Sequence, residues 1–296
     1  MPETNANNLT LHYDEHGDPS HPPVLLVMGL GAQMTMWPME FVEALVSRGF
    51  RVIRYDNRDI GLSEKFDGAK APGLVRHILF RRFGLRPKVP YTLSAMAQDG
   101  MELLSSLGID RAHVVGASMG GMIAQLMAVN HSDRLLSLTS VFSTTGNPKL
   151  PQADKAAMQA LTTRPESMEE DVLVDHGLKV TSAIGSPGFR PDPDRQRERV
   201  RESIRRSVYP EGMVRQMAAI IDDGDRRERL KSVCVPTLVL HGEDDPLVKV
   251  EGGRDTAAAI PGARLKTYPG WGHDLPMELV DELSDAIAEH ARSAAP

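Results

Sequence analysis

Residues 112–131, AHVVGASMGGMIAQLMAVNH, constrain this chain most, because the two halves of the stretch have different periods. His113, Val114 and Val115 form the short β-branched run of a buried strand. From Met119 onward, Met122, Ile123, Leu126 and Met127 recur at helical spacing, with Ala124 and Ala128 permitting close packing. Between the halves sits Gly116-Ala117-Ser118-Met119-Gly120. A strand that turns at once into a helix leaves its turn residue strained and uncovered, and a Cβ at Gly116 or Gly120 would collide with neighbouring backbone. Such a turn holds the Ser118 hydroxyl above a sheet at a helix N-terminus, where the helix dipole favours developing negative charge. The alternative is an ordinary tight turn with a capping serine.

A serine hydroxyl is a poor nucleophile unless a histidine takes its proton and a carboxylate fixes the histidine tautomer. Both partners are available late in the chain. Pro236 to His241 reads as a buried strand and runs into Gly242-Glu243-Asp244-Asp245-Pro246, which offers three acids. Ala263 to Tyr268 reads as the next strand and leads into Pro269-Gly270-Trp271-Gly272-His273-Asp274, which offers the base. Both loops fall at the C-terminal ends of strands, the edge at which parallel sheets bind ligands. Near the N-terminus, the apolar run PVLLVM at 23–28 is a fully buried strand that ends in Gly29-Leu30-Gly31. Glycines there let backbone N–H groups approach a ligand, as the second half of an oxyanion hole requires.

The remaining segments set the frame. Leu9 to Tyr13 alternates as a half-exposed edge strand, and 37–48 and 92–107 read as amphipathic helices. The turn Asp56-Asn57-Arg58-Asp59-Ile60-Gly61-Leu62-Ser63 reads as a scaffold that hydrogen-bonds loops near the site. The segment 64–90 contains GLVRHILFRRFGLR, a basic amphipathic run bounded by glycine and proline. It reads as a flap over an apolar pocket, a surface helix for a partner or lipid interface, or a helix packed on its own core. From 143 to 230 the period is helical, with helices expected at 152–163, 167–184, 194–208 and 211–222. Met158, Met168, Met213 and Met217 are candidates to line an acyl pocket there.

Bulk properties exclude several classes. A net charge of −6 argues against sequence-independent binding of nucleic acid. Cys234, the one cysteine, excludes an internal disulfide and reads as a buried, inert thiol in a reducing compartment. The polar start MPETNANN has no secretory signal, and no apolar run reaches membrane-span length, so a cytoplasmic location is expected. No histidine–carboxylate spacing implies a metal or other cofactor.

The elbow GASMGG, the loop MGLG, the turn HGEDDPLV and the sequence GWGHDLP, in this order, resemble an α/β-hydrolase with a helical cap over nearly the whole chain. The resemblance implies a mostly parallel sheet, with a core at 1–142 and 231–296 and a cap at 143–230. It selects Asp245 as the acid, and implies Ser118 and His273 as nucleophile and base with the N–H groups of Leu30 and Met119 as oxyanion donors. The turn RYDNRDIGLS has Asp59 where the commoner pattern D-x-R-G-x-G has glycine, and with VVGASMGG and PGWGHDLP it is similar to the aclacinomycin methylesterase branch. The function implied is carboxylic ester hydrolysis of small to medium apolar esters. A cofactor-free perhydrolase or haloperoxidase uses the same triad, and a ligand-binding receptor would keep only the fold. The sequence leaves the oligomeric state open.

Overall fold

A computed structural model describes residues 2–73, 77, 79, 80, 83–85 and 87–294. Strands β1 (Glu3–Ala6), β2 (Leu9–His16), β3 (Pro23–Val27) and β4 (Arg51–Tyr55) come first, with helix α1 (Met39–Ser47) before β4. Helix α2 (Leu93–Ser106), strand β5 (Ala112–Ala117), helix α3 (Met119–Asn130) and strand β6 (Leu135–Val141) follow. A helical insertion then carries α4 (Lys155–Thr162), α5 (Glu170–Ile184), α6 (Pro193–Arg206), α7 (Pro210–Asp223) and the short α8 (Arg227–Leu230). The chain closes with β7 (Thr237–Gly242), α9 (Val250–Ala259), β8 (Arg264–Tyr268) and α10 (Val280–Ser293).

The strands form one sheet in the order β1-β2-β4-β3-β5-β6-β7-β8. Pairs β1–β2 and β2–β4 are antiparallel, and all other pairs are parallel. The continuous apolar run of β3 is explained by cover on both faces. Leu25 and Val27 pack into the core beneath α2 and α3, while Val24 and Leu26 pack into the opposite core with Phe41, Leu45, Leu283 and Ile287. The chain passes from β3 to β4 on one side and returns to place β5 on the other. The loops after β3 and β5 therefore meet at the point where the strand order reverses, the usual binding crevice of such sheets.

Several sequence expectations change. The polar start contains β1, so β2 is an inner strand and runs on to His16. Polarity at 3–6 suits an edge strand, which needs to bury only one residue, Ala6, against the core. Cys234 is exposed, not buried, because it alternates with the buried Val233 and Val235. Met158, on α4, and Met168, in the loop before α5, are exposed. In 64–90, Leu74, Val75, Arg76, Ile78, Arg81, Arg82 and Arg86 lie outside the described residues. Of the apolar members that are described, Leu79 and Phe83 are exposed. Among the described residues no helix is long and apolar enough to cross a membrane.

Candidate active site

Ser118 is the residue at which β5 becomes α3, and its backbone is held at φ 56°, ψ −120°. For a non-glycine residue this is a strained conformation that persists only when the surroundings impose it. The surroundings are tight. A Cβ on Gly116 would lie 2.2 Å from the Gly120 carbonyl oxygen, and one on Gly120 would lie 2.0 Å from the Val27 carbonyl oxygen. Helix and strands can approach this closely only with glycine at both positions. Ser118 N–H donates to the Val141 carbonyl at 2.9 Å, and its own carbonyl accepts the Ser143 hydroxyl at 2.7 Å.

Ser118 Oγ lies 2.9 Å from His273 Nε2, and His273 Nδ1 lies 2.6 Å from Asp245 Oδ2. Asp245 is fully buried, and its other oxygen accepts the Leu247 and Val248 N–H groups at 2.8 Å each, so only Oδ2 faces the imidazole. Asp244 points away and accepts the Gly270 N–H at 2.7 Å. Glu243 accepts from the Thr267 hydroxyl. Of the three acids, geometry brings only Asp245 to His273. His241 packs beside this loop, where its Nε2–H donates to the Val248 carbonyl at 2.7 Å. Burial, only partly offset by that bond and by Asp245, lowers its pKa.

The turn after β3 lies against the serine: a Cβ on Gly29 would be 3.1 Å from Ser118 Cβ. Ala32 N–H donates to the Gly29 carbonyl at 3.3 Å and closes the turn, with Gly31 at φ 66°. Met119 opens α3, where the first N–H groups have no intrahelical acceptor. Neither the Leu30 nor the Met119 N–H donates to a backbone or side-chain acceptor among the described residues. Phe142, just after β6 with φ 34°, packs its ring against the imidazole, with centroids 4.7 Å apart and the planes tilted by 54°.

Long-range bonds hold the loops in place. The scaffold role read for the 56–63 turn is carried by three Asp–Arg pairs. Asp56 takes the Met34 N–H and the Arg206 guanidinium, Asp59 takes Arg215, and Arg58 donates to Asp99. Asp59 stands at φ 69°, a left-handed conformation that aspartate tolerates. Burial acts to raise its pKa, but Arg215, the Phe66 N–H and the Tyr91 hydroxyl hold it below the ordinary value. Asn57 donates to the Met28 carbonyl at 2.9 Å, at the root of the Gly29–Gly31 turn. On the other side, the end of α5 grips the histidine loop: His273 N–H donates to Ile184 O and Gly272 N–H to Ser186 Oγ. Ser186 in turn donates to Asp274, whose pKa burial raises against these bonds. Asn57 sits in the turn the sequence singles out, whereas Ser143, Ser186 and Gln216 carry no motif. Among the described residues no cluster of His, Cys, Asp and Glu has the arrangement of a metal site.

This sheet, elbow and loop order define a class, and residues 22–278 match the family described as the alpha/beta hydrolase fold, to which the chain belongs. It is 30% identical to rhodomycin D methylesterase of Streptomyces peucetius, with 97% of both chains covered. It is 26% identical to 3-oxoadipate enol-lactonase 1 of Acinetobacter baylyi, over 84% of this chain and 81% of that one. It also superposes on the crystal structure of an enol-lactonase from Burkholderia xenovorans with a TM-score of 0.72 and 27% identity, covering 98% of this chain and all of the other.

Proposed function

We propose that the protein is a serine carboxylesterase acting on small to medium apolar esters. The observation that carries the reading is the unbroken line of hydrogen bonds from Ser118 Oγ through His273 to Asp245 Oδ2. Ser118 Oγ attacks the ester carbonyl carbon as its proton passes to His273 Nε2, and Asp245 keeps the Nδ1–H tautomer and stabilises the imidazolium. The carbonyl oxygen becomes an oxyanion that accepts from the Leu30 and Met119 N–H groups. His273 then protonates the departing alkoxide. Water, deprotonated by His273, attacks the acyl-enzyme, releases the acid and restores the serine.

The family supports hydrolase chemistry, and the relatives named above act on a methyl ester and an enol-lactone, both esters. Residues 143–230 are proposed to act as the cap of a core formed by 1–142 and 231–296. Met213 of this segment lies against the Gly31 turn and offers apolar surface to a substrate. The test is hydrolysis of p-nitrophenyl esters of graded acyl length, with labelling by a serine-directed phosphonate. Wild type is expected to hydrolyse the esters and take the label at Ser118. Absence of both, or peroxide-dependent bromination of a dye in place of hydrolysis, overturns the reading.

A further inference from the structure

Gln216, on α7, is fully buried and joins two loops that are far apart in sequence. Its Oε1 accepts the Gly31 N–H at 2.9 Å, and its Nε2 donates to the Arg58 carbonyl at 2.9 Å. The helix delivers it by an unusually close approach. A Cβ on Gly212, one turn earlier, would sit 2.1 Å from the Asp59 carbonyl oxygen, and Met213 lies against Gly31. Only a side chain with both a donor and an acceptor satisfies the Gly31 N–H and the Arg58 carbonyl together.

The bond to Gly31 bears on the chemistry through peptide geometry. The Gly29 carbonyl and the Leu30 N–H belong to one planar trans peptide and point in opposite directions. The turn from Gly29 to Ala32, closed by its own 3.3 Å bond, therefore sets where the Leu30 N–H aims. Gln216 holds the third residue of that turn, and Asn57 holds the carbonyl just before it. An oxyanion donor is effective only when it is fixed before charge develops, since reorganisation during the reaction forfeits the gain.

We propose that Gln216 is a positioning residue for the oxyanion site, acting through Gly31 on the Leu30 N–H. The proposal rests on the serine-esterase reading. In this arrangement α7 is part of the active-site framework and the oxyanion turn depends on it.

The test compares Gln216→Leu and Gln216→Asn with wild type on p-nitrophenyl acetate, with rates expressed per site titrated by the phosphonate. The shorter amide of Gln216→Asn cannot reach both loops, and it serves if the leucine variant folds poorly. A loss in kcat of about ten- to hundredfold is expected, smaller than the ~10²–10³ for deleting a donor outright. KM should stay within about threefold, because the ground-state carbonyl draws little on the oxyanion donors. Affinity for a trifluoromethyl ketone, whose serine adduct places an oxyanion in the same site, should fall in step with kcat. The inflection of the pH–rate profile should not move, because the His273–Asp245 pair is untouched. Both variants retaining kcat per titrated site, or losing kcat without losing trifluoromethyl ketone affinity, overturns the proposal. If instead wild type hydrolyses no ester, or Ser118→Ala matches it, the esterase reading itself has failed.

Discussion

The elbow at Ser118 takes its geometry from the strand before it, the helix after it and the ends of the two flanking strands, β3 and β6. The loops that face it do not. The Gly29–Ala32 turn is held by Asn57 and Gln216, and the histidine loop by Ile184 and Ser186, partners that for Gln216, Ile184 and Ser186 lie more than eighty residues away in the chain. Under the proposed mechanism, a nucleophile held by backbone strain at a junction of core strands tolerates change in the helical insertion, whereas an oxyanion donor and a base held by side chains of that insertion depend on how it is seated on the sheet. Under that mechanism the elbow fixes which atom attacks. Distant construction fixes how well the attack is supported.

The largest expected effect tests the local side. Ser118→Ala should lower ester turnover by on the order of 10⁶-fold, with no loss of thermal stability, since it removes only the hydroxyl. Substantial residual turnover would place the chemistry elsewhere. Asp245→Asn should cost roughly 10⁴-fold in kcat, because the amide favours the wrong imidazole tautomer. Asp244→Asn should cost less than about tenfold, because its amide oxygen still accepts the Gly270 N–H. Equal losses measured on one ester would reassign the acid.

The distant side is probed next through the Asp59–Arg215 pair. Asp59→Asn keeps a residue that tolerates φ 69° but leaves the buried Arg215 without its counter-charge. Urea unfolding should show a loss of about 4 kcal/mol, typical of breaking a buried pair from one side. An unchanged midpoint would mean that the pair does not hold α7 to the turn.

Stability should also depend on pH through the strand that carries the serine. His113 is buried on β5, its ring 2.8 Å from the Ser137 hydroxyl, and burial pushes its pKa down to about 4. Below its ordinary value of 6.5 the unfolded chain takes up a proton that the folded chain refuses. Stability should therefore fall as pH drops from 6.5 towards 4, by about 3 kcal/mol at the lower end, and be unaffected by this group above 6.5. His113→Asn should flatten that slope in unfolding measured at several pH values. The smallest effect is expected for Ser186→Ala, which removes the hydroxyl linking Gly272 to Asp274. About 1 kcal/mol of stability, and a severalfold fall in kcat, should accompany its loss. No change in kcat would show that the histidine loop keeps its place without this bond.

Much of the site was legible because its signals are local. The switch of period at Ser118, the glycines on either side of it, and the strands that end at Val27, Gly242 and Tyr268 all follow from neighbouring residues. The resemblance singled out Asp245, and the geometry brings the same residue to His273. The turn at 56–63 announced itself by charge density, and the aspartate at 59 in place of a glycine marked a position that the structure finds left-handed and paired with Arg215. What the sequence hid was held at long range or at an edge. A four-residue polar strand at 3–6 carries no hydrophobic period, because its pairing is made of backbone hydrogen bonds that every residue can offer. The exposure of Cys234 turned on which face of a single alternation met the core.

The sequence by itself determined the αβ alternation, the helical insertion after β6, the strained serine at a strand–helix junction, and the order in which Ser118, Asp245 and His273 appear. Each depends on periodicity or on the intrinsic limits of glycine, which act over a few residues. Only the tertiary structure decided that Gln216 meets Gly31, that Ser186 braces the histidine loop and that Arg215 is the partner of Asp59. Glutamine, serine and arginine are ordinary surface residues on a helix or in a turn until packing buries them. Their roles come from desolvation, which makes each buried donor and acceptor require a partner, and the partner is chosen by the way distant segments of the chain come together.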